Sequence, residues 1–75
     1  MKNLADLKLG QLATIDSFSN KELALKLMEM GCLPGEIVKI ERKAPLGDPI
    51  AISVSGYLLS LRKKDASTIL VKSHE

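Results

Sequence analysis

Apolar residues change their spacing twice along this chain, and each change marks a new kind of element. Leu4, Leu7 and Leu9 open it and Gly10 ends the run, which predicts a short turn or arm that lays apolar side chains on the body. Gln11 to Ile15 alternates as a strand does, with Leu12 and Ala13 ambiguous as to face. Asp16-Ser17-Phe18-Ser19-Asn20 supplies turn and cap chemistry, and Asn20 suits a helix N-cap because its side-chain oxygen accepts an unpaired N–H of the first turn. From Lys21 to Met30 the period is helical: Leu23, Leu27 and Met30 form one stripe, with Glu22 and Lys26 as a wet i, i+4 pair. Leu25 lies about 200° round from Leu23 and faces outward, and Met28 is placed on the outer side with it. Gly31 stops the helix, and Pro34-Gly35 is a second turn signal.

Beyond Gly35 the period falls to two. Val38 and Ile40 alternate with Ile37, Lys39 and Glu41, and Ile50, Ile52 and Val54 alternate with Ala51, Ser53 and Ser55. Ser55-Gly56 is a two-residue hairpin loop, after which Tyr57, Leu59 and Leu61 share a face. Lys63 to Ser67 reads as a polar turn, Thr68 to Val71 as the last strand, and Lys72-Ser73-His74-Glu75 as a tail with nothing to bury it. The pattern predicts a mainly β fold, a small five-stranded, partly open barrel with one helix inserted after the first strand. With no repeat or linker, residues 1–75 are expected to form a single domain.

Composition narrows the function classes. A chain of 75 residues buries only ~60% of the surface it exposes when unfolded. One cysteine excludes an internal disulfide framework, so aliphatic packing must hold the core. Phe18 and Tyr57 are the only aromatics, and the eleven Lys and Arg residues are interleaved with nine Asp and Glu. Neither a stacking platform nor a basic stripe results, so no nucleic-acid partner is expected. No stretch has the apolar length of a membrane span or signal peptide, which implies a cytosolic chain without membrane insertion.

Candidate chemistry is sparse. Cys32 lies between Gly31 and Leu33 in an apolar run, where a thiol behaves as a small core hydrophobe. His74 is the only histidine, so a metal site would have to recruit that tail together with Cys32 and carboxylates from elsewhere. Nothing resembles GxxxxGK[ST], no acid–base constellation stands out, and neither a catalytic residue nor a cofactor is expected. The most distinctive stretch is Arg42-Lys43-Ala44-Pro45-Leu46-Gly47-Asp48-Pro49, a stiff loop with a leucine at its tip. An apolar residue on a stiff loop loses little entropy on binding, so Pro45, Leu46 and Gly47, with Leu25 and Met28, are the candidate partner surface. A partly open barrel also keeps edge strands through which copies can self-associate.

Several of these segments together resemble a known family. Leu7-x-x-Gly10, Leu27-Met28-Glu29-Met30-Gly31-x-x-Pro34-Gly35, Ala44-Pro45-Leu46-Gly47-Asp48-Pro49-Ile50, and Leu59-x-Leu61-Arg62 followed by Ile69-x-Val71 are similar to the ferrous iron transport protein A family. The resemblance runs from about Leu4 to Val71, and Cys32 stands where an aliphatic residue is commoner. It implies an SH3-like barrel in the bacterial cytosol, an accessory to the ferrous iron permease, whose cytoplasmic end carries a GTP-binding domain. It implies no enzyme activity and, lacking a preceding winged helix, no DNA binding. The alternative is a small protein that carries or senses ferrous or other transition metal ions through Cys32, His74 and carboxylates.

Overall fold

The computed structural model describes residues 1–74. Its elements run β1 (Lys2–Asn3), a 3-10 turn (Leu4–Asp6), β2 (Leu12–Phe18), α1 (Lys21–Glu29), β3 (Ile37–Lys43), β4 (Ile50–Val54), β5 (Tyr57–Leu61), α2 (Lys63–Ala66) and β6 (Ile69–His74). All strands pair antiparallel in the order β1-β6-β2-β3-β4-β5, so β1 and β5 are the edges of an open sheet. The mainly β architecture, with the helix after the first long strand, is the one the hydrophobic pattern predicts. The sixth strand is β1, whose two residues are too few to carry an alternation.

Alternation decides which side chains build the core. Val38 and Ile40 of β3 and Ile50, Ile52 and Val54 of β4 are buried, and Ile15, Ile69 and Val71 meet them from β2 and β6. Leu4 and Leu7 complete the cluster as the predicted arm, while Leu9 is exposed. Ala13 takes the inward position on β2 and leaves Leu12 outside, opposite Lys39. Register shifts between Ile15 and Ser17 on β2 and between Ile40 and Arg42 on β3 put an extra residue into each strand. Such bulges bend a strand and increase its twist, which curls the sheet round the core.

Three expectations are corrected. Asp16 to Phe18 continue β2 past its bulge instead of turning. Lys63 to Ala66 form α2, a single helical turn that buries Ala66 against the core. Lys72 to His74 extend β6 instead of trailing as a tail, because their backbone finds partners on β2, with Thr14 opposite Lys72 and Leu12 opposite His74. Glu75, the last residue of the predicted tail, lies outside the described residues.

Candidate partner-docking surface

The helix that shapes this surface is bounded by local chemistry. At its start the Asn20 side chain accepts the Leu23 N–H at 3.1 Å. At its end the Gly31 N–H donates to the Met28 carbonyl and the Cys32 N–H to the Leu27 carbonyl, both at 3.0 Å. These are the paired bonds of a Schellman stop, and Gly31 at φ 104° supplies its left-handed residue. The motif brings the residue after the glycine back over the last turn, and Cys32 accordingly joins Leu27 in the buried cluster. Desolvation pushes the Cys32 thiol above its ordinary pKa, so it stays protonated.

The β4–β5 hairpin clasps this helix end. Ser55 at φ 51° and Gly56 at φ 83° make the two-residue turn that matches strand twist. From it the Ser55 hydroxyl donates to Glu36 Oε1 at 2.9 Å, and the Tyr57 hydroxyl donates to the Met30 carbonyl. Between α1 and β5 runs a groove of about 350 Å³, lined by Leu23, Lys26, Leu27 and Met30 on one side and Ser60, Leu61, Arg62 and Asp65 on the other. Arg62 is held by Asp65 at 3.1 Å. A second concavity of about 390 Å³ opens on the outer face of the sheet, lined by Glu41, Arg42, Ser53, Gly56, Tyr57 and Leu58.

The loop between β3 and β4 is built as a rigid finger. The Gly47 N–H donates to the Ala44 carbonyl at 2.7 Å and the Ala44 N–H to the Pro49 carbonyl at 3.1 Å, with a cis bond between Asp48 and Pro49. Asp48 Oδ1 accepts the Lys63 N–H at 2.8 Å and so ties the finger to the first residue of α2. Leu46 at the tip is 94% exposed, Pro45 is exposed and Gly47 half-buried. Leu25 is 64% exposed, as its helical angle requires. Met28 is half-buried, a correction: it stands about 100° from Leu27, on the helix shoulder and not on its crest. The groove lining includes none of these five residues, so the sequence-derived set does not converge on one cavity. Lys26, Arg62 and Asp65 were missed; the Arg62/Asp65 spacing of three was the available signal.

The structure separates the residues of the metal-handling alternative. Cys32 is sealed in the core, whereas His74 is exposed on the outer face with Nε2 2.7 Å from Thr14 Oγ1. Among the described residues no three His, Cys, Asp or Glu side chains group as a metal site. No helix among them is long and apolar enough to cross a membrane.

Comparison with known proteins gives a consistent picture. Residues 2–73 match the FeoA domain family. Over 70 residues the chain is 33% identical to a Fe(2+) transport protein A/Fe(2+) transporter FeoB fusion protein of Porphyromonas gingivalis, covering 92% of this chain and 8% of that much longer protein. The fold superposes on a FeoA-like protein from Clostridium acetobutylicum with a TM-score of 0.91 at 36% identity, covering 99% of this chain and 87% of that one. It also superposes on Stenotrophomonas maltophilia FeoA, a prokaryotic SH3 domain protein complexed with zinc, with a TM-score of 0.81 at 28% identity and coverage of 96% and 91%.

Proposed function

Because the chain belongs to the FeoA domain family, we propose that it is a cytoplasmic accessory of ferrous iron uptake that contacts the GTP-binding part of the ferrous iron permease and modulates its activity or assembly. The observation that carries this reading is the joining of such a domain to an iron transporter in one polypeptide of Porphyromonas gingivalis. A linker raises the effective concentration of two modules for each other, an arrangement that serves modules whose surfaces meet. In this reading the chain acts by binding. Its contact surface is the exposed helix crest at Leu25 with the adjoining Met28, and the finger Pro45-Leu46-Gly47, where apolar side chains stand on rigid supports.

The test is a titration of this chain against the permease's cytoplasmic GTP-binding domain. Leu25→Glu and Leu46→Glu are expected to weaken binding by about tenfold or more, the loss of ~1.4 kcal/mol, at an unchanged melting temperature. Absence of binding by the unaltered chain would overturn the reading; unchanged affinity in either variant would remove that segment from the surface. A second reading, metal handling, is favoured by the zinc in the Stenotrophomonas maltophilia structure. Tight stoichiometric binding of ferrous or zinc ion, abolished by Cys32→Ser, would support it.

A further inference from the structure

We propose that the free edge of β5 and the concavities at its two ends form a docking site for an extended peptide strand carrying an acidic side chain. This inference stands apart from the transporter reading. In the register of β4 with β5, Val54 faces Tyr57 across the two-residue turn, so these two exchange backbone hydrogen bonds. Bonding then alternates along the ladder: Tyr57, Leu59 and Leu61 point their backbone groups toward β4, and Leu58 and Ser60 point theirs away from the sheet. Since β5 ends the strand order, those outward groups have no strand beside them.

Exposed edges normally carry a charge, a proline or a bulge that blocks pairing with another strand. Tyr57-Leu58-Leu59-Ser60-Leu61 carries neither charge nor proline, and its register with β4 is unbroken. The other edge, β1, is two residues long. Strand addition draws affinity from main-chain bonds and specificity from pockets that receive alternate side chains. Here the outer concavity borders β5 at Tyr57 and Leu58 and the groove toward α1 borders it at Ser60 and Leu61, so side chains a few positions apart on an added strand have a concavity at each end of β5 to enter.

Charge selects the occupant. Arg62 in the groove is neutralised by Asp65, but the Lys26 ammonium has no carboxylate partner among the described residues, and the Glu22–Lys26 pair that helical spacing predicts is not formed, a correction to the sequence reading. An acidic side chain on the incoming strand fills that vacancy in charge. A second copy adding its own β5 brings no acid, which makes a foreign strand the better complement.

The experiment selects binders to the full chain from a phage-displayed library of random linear peptides, then follows them by calorimetry and amide chemical shifts. Selected peptides are expected to carry Asp or Glu, to shift the Leu58 and Ser60 amides, and to lose binding on N-methylation of alternate backbone nitrogens in one register only. Ser60→Pro deletes an outward N–H and leaves the ladder to β4 whole, so it should weaken binding by about tenfold or more without moving the thermal midpoint. Lys26→Glu should turn the selection toward basic peptides. The proposal is overturned by peptides indifferent to N-methylation and to Ser60→Pro, by failure to select any, or by a dimer in sedimentation that Ser60→Pro dissolves. Should Ser60→Pro not fold, the N-methylated series decides alone.

Discussion

At Gly31 two requirements fall on one residue. Its φ of 104° lies where L side chains are disfavoured, and a Cβ there would run into the Tyr57 hydroxyl. Gly31→Ala should therefore cost more than the ~1 kcal/mol of backbone strain alone. Tyr57→Phe should cost ~0.5–1.5 kcal/mol through its lost bond to the Met30 carbonyl. Because the phenylalanine also vacates the colliding atom, the double variant should lose less than the sum of the two, read from denaturant midpoints; strict additivity would exclude the collision. The glycine stop was legible from the sequence alone, as a local rule. Its collision partner was not, since Tyr57 reaches Met30 across 27 positions and no spacing rule links them.

Cys32 carries the other prediction at this scale. Its thiol is raised above the ordinary 9.0 by burial, so the folded chain keeps a proton that the unfolded chain releases at high pH. That contribution is whole below the ordinary value and fades as pH rises through it toward the folded one. Stability profiles of the native chain and Cys32→Ala should therefore converge at alkaline pH, and parallel profiles would count against a buried protonated thiol. The same burial should make the native thiol slow toward disulfide reagents.

Among the elements, α1 tests how far periodicity can be trusted. Leu27 and Leu25 are two residues apart, yet one is buried and the other 64% exposed. Leu27→Ala should cost ~2–5 kcal/mol, whereas Leu25→Ala should stay within about 0.5 kcal/mol of the parent by thermal melting. Equal effects would mean the helix is rotated. Its stripe, its cap and its stop were all readable because each obeys a rule that spans no more than about two helical turns. The ends of β2 and β6 were not. Lys72, Ser73 and His74 look like a frayed polar tail, and become strand through pairing with β2, a segment almost sixty positions earlier. Asp16 to Phe18 look like a turn for the same reason, since a bulge hides the alternation that β6 nevertheless continues to pair. Nor could the candidate surface be assembled from sequence: exposure of Leu25 and Leu46 follows from local rules, but the α1–β5 groove depends on how distant elements pack.

At the scale of the whole molecule, a thin aliphatic core supports a curled sheet whose interleaved charges and two separate concavities leave recognition to shape and a few rigid contacts. The strand order adds a consequence for how such a molecule is made. β6 lies between β1 and β2, yet it is synthesised after every other strand. Until Ile69 to His74 leave the ribosome, the early strands have no neighbour on that side, and Ile15 and Leu4 have no Ile69 or Val71 to share the core with. Folding during translation can thus advance through the β3–β4–β5 meander, whose partners are close in sequence, but the sheet closes only once β6 is available to β1 and β2. Arrest of the nascent chain before β6 should hold it open and protease-sensitive. The β5 edge is therefore on show before the other side of the sheet is complete, and β6 closes that other side.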